Sequence, residues 1–259
     1  MNKPLPWALK NLGQHYLNDD NIINSICNDF ANLQLPILEI GPGPGILTKY
    51  LADLEMPLKV IEKDDRFEEH LLEILNKDQI IWGDALKVEL DTLYTEDYWL
   101  VSNLPYNVAS PLLVNFLKIP HIKVMTLMFQ KEVGNRILTK DMNSLGALTK
   151  TFFDVKVLCE VPPWAFLPPP KVDSIVLSFK RLDKPHIDLK NFDQFEKFLR
   201  NLFKMRRKQV AKVLKTTYEK DKVDQALNVL NIEKTLRAEI FSMEDVHGLY
   251  RHLGQSNGN

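Results

Sequence analysis

The segment Asn103-Leu104-Pro105-Tyr106 follows an apolar run, residues 98–101, that has the character of a buried strand. The Asn103 side chain and the Leu104 carbonyl are hydrogen-bond acceptors, and Pro105 keeps Leu104 extended, so that this carbonyl has no competing role in a helix. Tyr106 adds a flat ring on which a base can stack. The segment therefore supplies what is needed to hold a planar base through its amino group.

A glycine-rich turn, Glu39-Ile40-Gly41-Pro42-Gly43-Pro44-Gly45, lies between a predicted strand and a predicted helix. Alternating glycines let the backbone turn sharply and come close to a ligand. A turn of this kind without any ligand is about equally common when nothing else is known. The fingerprint of dinucleotide-binding folds requires glycine or alanine three places after its second glycine, and Ile46 stands there, which weakens that alternative.

An acidic residue lies at the carboxyl end of each of the next two predicted strands. Glu62 lies seventeen residues after Gly45, and Asp84 follows the third strand. A carboxylate can accept both hydroxyls of a ribose, and Asp84 can accept from the amino group of an adenine. Each acid alone is more often a solvated strand end. Together with the glycine turn they predict a nucleoside site at the carboxyl edge of an open sheet.

Strands and helices alternate along the first 180 residues, which predicts a parallel, doubly wound sheet covered on both faces. Two late strands, 155–160 and 174–179, are joined by a Pro-rich loop without a helix, which predicts an antiparallel hairpin at one edge. The other predicted strands cover 36–40, 58–61, 79–82, 98–101 and 124–129, and the predicted helices cover 19–33, 46–54, 65–75, 108–117 and 131–138.

The composition changes near residues 182–185, and no convincing strand follows. Hydrophobic spacing predicts one helix over 191–215 and shorter helices near 223–230 and 243–253, with a disordered tail from 254. We therefore predict two domains: residues 1–182, which carry the predicted nucleoside site, and residues 183–259, a small all-α domain.

The 259 residues carry a net charge of −1, but the charge is unevenly distributed. Residues 1–180 have a net charge of −6 and residues 181–259 a net charge of +5. Residues 197–215 include eight basic residues and no acid. A solvated face is the usual meaning of such a run, but the absence of acids favours contact with an RNA backbone. The cations predicted to meet phosphates are Lys204, Arg206, Arg207, Lys208 and Lys212.

Other classes of protein find little support in the sequence. Cys27 and Cys159 are far apart in the sequence and form no disulfide framework, which is typical of proteins in a reducing cytosol. They also lack the spacing of metal ligands, so we predict no metal site. No apolar run is long enough to span a membrane, so we expect a cytoplasmic protein.

Several motifs occur in an order known from one family of RNA-modifying enzymes. They are Gly13–Leu17, Glu39–Gly45, Glu62, Gly83-Asp84-Ala85, Asn103–Tyr106, Phe129–Glu132 and Val161–Ser174. In these motifs the chain resembles the KsgA (RsmA) family of S-adenosylmethionine-dependent rRNA adenine N6,N6-dimethyltransferases. The resemblance covers residues 13–179 and continues more loosely into the basic segment. Asn-Leu-Pro-Tyr together with Phe-x-Pro-Pro-Pro-Lys-Val-Asp-Ser is highly specific, whereas the glycine turn alone is not.

The resemblance implies a seven-stranded methyltransferase sheet, S-adenosyl-L-methionine as cofactor with S-adenosyl-L-homocysteine as product, and a role for each matching residue. Asn103, Leu104, Pro105 and Tyr106 would carry the catalytic step, with Tyr106 and Phe166 stacking the target adenine. The cofactor contacts would be His15 and Leu17 at the methionine end, Gly41, Gly43 and Gly45 beneath it, Glu62 at the ribose, Asp84 and Ala85 at the adenine, and Asn103 at the sulfonium. The family often has asparagine and phenylalanine where this chain has His15 and Tyr16.

By the same resemblance, the substrate would be two adjacent adenosines near the 3′ end of 16S rRNA, in an immature small ribosomal subunit, and the enzyme would be a monomer. Three alternatives remain. Macrolide-resistance methyltransferases of the large subunit typically have isoleucine in place of Leu104 and another residue at Pro42. A non-catalytic assembly or transcription factor would not need intact Glu62, Asp84 and Asn103–Tyr106. A small-molecule methyltransferase would not need the basic segment.

Overall fold

The computed structural model describes residues 14–255, so Gly13 of the first motif and residues 256–259 of the predicted tail lie outside the described residues. The strands are β1 (Tyr16–Leu17), β2 (Ile37–Ile40), β3 (Leu58–Glu62), β4 (Ile80–Trp82), β5 (Tyr98–Asn103), β6 (Ile122–Gln130), β7 (Phe153–Val161), β8 (Phe166–Leu167) and β9 (Ser174–Arg181). The α-helices are α1 (Asp20–Asn28), α2 (Ile46–Ala52), α3 (Glu68–Leu71), α4 (Ala109–Lys118), α5 (Lys131–Leu138), α6 (Ser144–Phe152), α7 (Phe192–Phe203), α8 (Val210–Leu214), α9 (Lys220–Val229) and α10 (Met243–Leu249). No helix within 14–255 is both long and apolar enough to cross a membrane.

Seven strands form the central sheet in the order β4-β3-β2-β5-β6-β9-β7. The pairs from β4 to β6 are all parallel, and β9 runs antiparallel to β6 and lies between β6 and the edge strand β7. The predicted doubly wound, mostly parallel sheet with an antiparallel edge is therefore confirmed. The strand order reverses between β2 and β5, which is where open α/β sheets bind ligands beyond the carboxyl ends of their strands.

The central strands are buried on both faces, as their continuous apolar runs predict. All four residues of β2 and five of the six residues of β5 are buried. Buried polar side chains there find partners: the Ser102 hydroxyl donates to the Ile40 carbonyl at 2.6 Å, and the Trp99 indole donates to Thr126 Oγ1 at 2.9 Å. The strand ends next to the switch point are thus held in fixed register.

The described chain divides by its contacts into two compact units, one of residues 14–134 and 155–181 and one of residues 135–154 and 182–255. The single predicted boundary at 182/183 therefore misses segment 135–154, which contains α6. Within the second unit, the Leu182 amide donates to the Phe152 carbonyl at 2.9 Å, and Thr151 Oγ1 lies 2.9 Å from His247 Nε2. These bonds tie α6 to the helices that follow residue 182.

The predicted continuous helix over 191–215 is wrong, because α7 and α8 are separated by a turn at 204–209. The Val210 amide donates to the Leu236 carbonyl at 2.7 Å, so its backbone bond goes to another segment and not to the preceding helical turn. Within the turn, the Lys208 amide donates to the Met205 carbonyl at 3.0 Å.

A second, two-stranded sheet was not predicted. In it β1 and β8 pair antiparallel, with Tyr16 opposite Leu167 and Leu17 opposite Phe166. The Asn18 amide adds a bond of 2.7 Å to the Ala165 carbonyl. This small sheet fixes the first motif against the Pro-rich segment between β7 and β9.

Candidate active site

A cleft of about 1170 Å³, including open solvent at its mouth, lies at the carboxyl ends of β2 to β5. It is lined by most of the residues predicted to hold the cofactor and the base. These are His15, Leu17, Gly41, Gly43, Glu62, Asp84, Ala85, Asn103, Leu104, Pro105 and Tyr106. Gly45 and Phe166 are predicted site residues that are absent from its lining.

The three glycines of the turn after β2 have positive φ angles of 69°, 57° and 84°, a region that residues with a side chain adopt at a cost. A Cβ on Gly41 would meet no atom within 4 Å, so the space beside this residue is open to a ligand. A Cβ on Gly45 would lie 2.5 Å from Ile74 Cδ1. Gly45 thus permits close packing at the start of α2 and does not face the cleft.

Glu62, the last residue of β3, holds the glycine turn in place. Its Oε2 accepts from the Gly43 amide at 2.9 Å, and its Oε1 accepts from the Lys63 and Asp64 amides, both at 2.8 Å. Burial raises the pKa of Glu62, and the three amide donors oppose that shift. Because an ionised carboxylate has about four acceptor sites, Glu62 retains capacity for a hydroxyl donor in the cleft.

Asp84 lies beyond β4 at the rim of the cleft. Its Oδ2 pairs with Lys63 Nζ at 3.0 Å, and its Oδ1 accepts from the Leu86 amide at 3.0 Å. The hydrogen bond from Lys63, and then that from the Leu86 amide, lower the pKa of Asp84. Asp84 is therefore an ionised acceptor, which suits an amino group.

Glu39 is a cleft residue that was not among the predicted site residues. It lies on β2, lines the cleft and is only 2% exposed. Burial raises the pKa of Glu39 to about 8, and the nearby Thr48 hydroxyl opposes that shift. Among the described residues no group is well placed to donate a hydrogen bond to Glu39 Oε2. The only signal for it in the sequence is its place as the acid before the glycine turn. A buried carboxyl group on the wall of the cleft suits a cationic ligand group.

The Asn103 amide is oriented by the first motif. Its Nδ2 donates to the His15 carbonyl at 3.0 Å, which leaves Oδ1 as a free acceptor in the cleft. The next residue, Leu104, has a buried side chain, and its carbonyl accepts no hydrogen bond from the described residues. The Val108 amide donates to the Pro105 carbonyl at 3.1 Å and closes the turn. Asn103 Oδ1 and the Leu104 carbonyl are thus two acceptors on neighbouring residues that have no hydrogen-bond partner within the described part of the chain.

Three aromatic side chains meet at one side of the cleft. The Tyr106 hydroxyl lies 2.6 Å from Ser174 Oγ, and burial raises the pKa of Tyr106. The imidazole of His15 stacks on Tyr106, with centroids 5.6 Å apart and planes 27° apart. Phe166, only 3% exposed, meets the same imidazole edge-on at 6.4 Å. The predicted second stacking ring is thus a core residue of β8, with His15 against it.

The predicted RNA contacts all lie in the second unit. Lys204, Arg206, Arg207 and Lys208 are exposed on the turn between α7 and α8, and Lys212 is exposed on α8. Lys204 Nζ donates to Thr217 Oγ1 at 2.9 Å. The other four form no ion pair within the described part of the chain. Arg206 and Lys208 also border a groove with the exposed Arg136.

The donor set of the cleft fits a nucleoside that carries positive charge: a buried unpartnered carboxyl oxygen, acidic strand ends and an open glycine turn. A seven-stranded, mostly parallel sheet with this site at its switch point defines a methyltransferase that uses S-adenosylmethionine. The family "Ribosomal RNA adenine dimethylase" matches residues 8–254. The chain belongs to this family, which confirms the resemblance found in the sequence motifs.

Named relatives agree with this assignment. The chain is 35% identical over 253 residues to a "Ribosomal RNA small subunit methyltransferase A" of Clostridium acetobutylicum, covering 91% of this chain and 90% of that protein. It is 34% identical to the protein of the same name from Cytophaga hutchinsonii, covering 95% and 97%. A crystal structure of a dimethyladenosine transferase from Plasmodium falciparum superposes with a TM-score of 0.74 at 25% identity, covering 92% of this chain and 96% of that one. The 23S rRNA methyltransferase ErmE shares the fold, with a TM-score of 0.66 at 24% identity, covering 93% and 100%.

Proposed function

We propose that the protein transfers methyl groups from S-adenosylmethionine to the N6 amino group of adenosines in small-subunit rRNA, forming N6,N6-dimethyladenosine. The observation that carries the proposal is the orientation of Asn103. Its Nδ2 is held by the His15 carbonyl at 3.0 Å, so its Oδ1 and the adjacent Leu104 carbonyl present two acceptors to an amino group. The names of the relatives support rRNA of the small subunit as the substrate.

Bound S-adenosylmethionine supplies a methyl group made electrophilic by its sulfonium. Glu62 would hold the ribose hydroxyls, Asp84 with Ala85 the adenine, and the unpartnered oxygen of Glu39 a cationic part of the cofactor. The resemblance adds Leu17 and the backbone of His15 at the methionine end, and Gly41 and Gly43 beneath it. Among the described residues, no three His, Cys, Asp or Glu side chains are grouped closely enough to hold a metal ion, and we propose methyl transfer without one.

The acceptors at Asn103 and Leu104 act on a poor nucleophile. The N6 lone pair of adenine is conjugated into the ring, and holding both N6 hydrogens favours a pyramidal nitrogen whose lone pair is aimed at the methyl group. Alignment of this kind lowers a barrier by up to about 7–11 kcal/mol in well-oriented reactions, so no strong base is needed. After the first methylation only one hydrogen remains, and one of the two acceptors suffices for it.

The target adenine must leave its stack to reach Asn103. Unstacking costs a few kcal/mol, and stacking on an aromatic side chain returns about 1–3 kcal/mol per base. Tyr106 lines the cleft, and the contact of its hydroxyl with Ser174 fixes the orientation of the ring. Tyr106 is therefore the stacking ring that the structure supports best, whereas Phe166 is buried against His15.

We assign the exposed cations of the second unit to the RNA backbone. Four of them, Arg206, Arg207, Lys208 and Lys212, have no ion-pair partner among the described residues, so phosphates would not compete with carboxylates for them. Arg136, which shares a groove with Arg206 and Lys208, joins this set. In full, the proposal is a monomeric cytoplasmic enzyme that modifies two adjacent adenosines near the 3′ end of 16S rRNA in an immature small subunit.

Replacement of Asn103 tests the proposal. Asn103→Ala removes one acceptor, and we expect methyl transfer to fall about 100-fold or more, the usual loss for one oriented hydrogen-bonding group. Asn103→Asp keeps an acceptor oxygen and should retain more activity. The measurement is the single-turnover rate of dimethyladenosine formation on unmethylated small subunits, read by mass spectrometry. Near-normal transfer by Asn103→Ala would contradict the proposed role.

A further inference from the structure

His15, in the first motif, lines the cleft and contacts two aromatic rings there. Its ring stacks on Tyr106 at 5.6 Å and meets the edge of Phe166 at 6.4 Å. Its Nδ1 donates to the Pro168 carbonyl at 2.8 Å. The imidazole is therefore fixed among the two rings and the Pro-rich segment.

The imidazole of His15 contacts both rings that were predicted to stack the target base, Tyr106 and Phe166. The Asn103 amide, which would accept from the N6 of that base, is bonded to the His15 carbonyl at 3.0 Å, so the base would bind close to His15. A purine between two parallel rings needs about 7 Å, two van der Waals contacts of about 3.5 Å. The separation of 5.6 Å between His15 and Tyr106 leaves no such space.

We propose that the imidazole of His15 occupies the subsite of the target base, and that an incoming adenine displaces it from the face of Tyr106. This inference rests on the proposed function, and it assigns the His15 side chain to the base and not to the methionine end of the cofactor. His15 thus helps to determine which base is bound, because only a base that stacks on Tyr106 more favourably than imidazole does can occupy the subsite.

Displacement requires movement of the side chain alone. The neighbouring residues Tyr16 and Leu17 stay in β1, paired with β8, and the His15 carbonyl keeps its bond to Asn103. Rotation about the Cα–Cβ bond breaks the ring stack and the hydrogen bond to Pro168. Asn103 therefore remains oriented while the subsite opens.

Adenosine is the probe, titrated by calorimetry in the presence of S-adenosylhomocysteine. We expect His15→Ala and His15→Asn to bind adenosine about threefold to tenfold more tightly than the unchanged protein. In these variants adenosine does not have to replace an imidazole that is stacked on Tyr106. His15→Phe keeps a ring in the subsite and should bind no more tightly than the unchanged protein. The matched control is His121→Ala, a half-buried histidine at the opposite end of the sheet, which should leave adenosine affinity unchanged.

A spectroscopic readout uses the unchanged protein. Adenosine should shift the ring-proton resonances of His15 as the imidazole leaves Tyr106, and should leave those of His121 in place. Weaker or absent binding of adenosine by both His15→Ala and His15→Asn, or a His15–Tyr106 contact that persists with adenosine bound, would overturn the inference. Rate measurements on small subunits test the proposed function separately. If the protein leaves the rRNA of these subunits unmethylated, the proposed function is wrong, even if adenosine displaces His15.

Discussion

Glu39 carries a buried carboxyl group for which the described residues supply no partner at Oε2. Such a group destabilises the folded chain unless it is protonated or meets a ligand. Its position on the wall of the cofactor cleft explains why it is there, because a cationic ligand would supply the missing partner.

The pH dependence of stability tests this interpretation. The folded pKa of about 8 exceeds the ordinary value of 4.5, so the folded protein keeps a proton that the unfolded chain loses between these values. Stability should therefore fall as pH rises through this interval, by an amount on the order of a few kcal/mol, and Glu39→Gln should remove most of that fall. Urea unfolding without cofactor at pH 5.5 and 8.5 measures it. The exposed Glu89→Gln is the control, and equal pH slopes for Glu39→Gln and the unchanged protein would contradict the assignment.

At the scale of single residues, sequence patterns located the acceptors better than the rings. Asn103 and Glu62 lie at strand ends, and parallel strands bring such ends to one edge whatever the details of packing. The role of Phe166 depended on the pairing of β1 with β8, a two-residue ladder between segments about 150 residues apart. Local patterns carry no signal for so short a pairing.

The elements beside the cleft depend on backbone conformations that only some residues tolerate. Gly45→Ala would place a methyl group 2.5 Å from Ile74 Cδ1 at a φ of 84°. We expect a loss of about 1–3 kcal/mol in the free energy of unfolding, measured by urea denaturation.

Gly41→Ala is the matched comparison for that prediction. Its φ of 69° is similarly unfavourable, but its Cβ would meet no atom within 4 Å. Its loss of stability should therefore be smaller, while its affinity for S-adenosylmethionine should fall because the methyl group enters the cleft. Equal losses of stability in the two variants would show that packing against Ile74 contributes nothing.

Helix α6 shows why some elements escaped prediction. Its sequence contains Gly146 and two threonines, which disfavour helices when taken alone. A Cβ on Gly146 would lie 3.1 Å from the Ile137 carbonyl, so glycine is needed for close packing against the end of α5. Asn143 caps the helix by accepting from the Gly146 amide at 3.0 Å. Tertiary packing thus outweighs local propensity here.

At the scale of the whole molecule, the net charge is only −1, although the turn between α7 and α8 in the second unit is strongly basic. Replacing Arg206 and Arg207 together by glutamine should weaken RNA binding and make it less dependent on salt. Each lost phosphate contact reduces the slope of log K against log salt by about 0.7–0.9, so we expect a slope less steep by about 1.4–1.8. Filter binding to small-subunit rRNA between 50 and 200 mM salt, concentrations typical for such slopes, measures it.

Two exposed lysines that already form ion pairs serve as the control pair. Lys190 lies 3.0 Å from Asp188 and Lys222 lies 3.3 Å from Glu219, so their replacement by glutamine should change the slope little. A slope unchanged by the arginine replacements would assign the RNA contact to another surface.

The place of β9 between β6 and β7 has a consequence for how the chain is made. While the nascent protein leaves the translating ribosome, β6 emerges with one edge unpaired, and its partner is complete only at Arg181. At about 5–20 residues per second, the 51 residues from Gln130 to Arg181 take roughly 3–10 s to synthesise. During that time an apolar strand edge is exposed to non-native partners. We therefore expect this protein to depend on ribosome-associated chaperones more than a protein in which each strand of the sheet pairs with the strand made just before it.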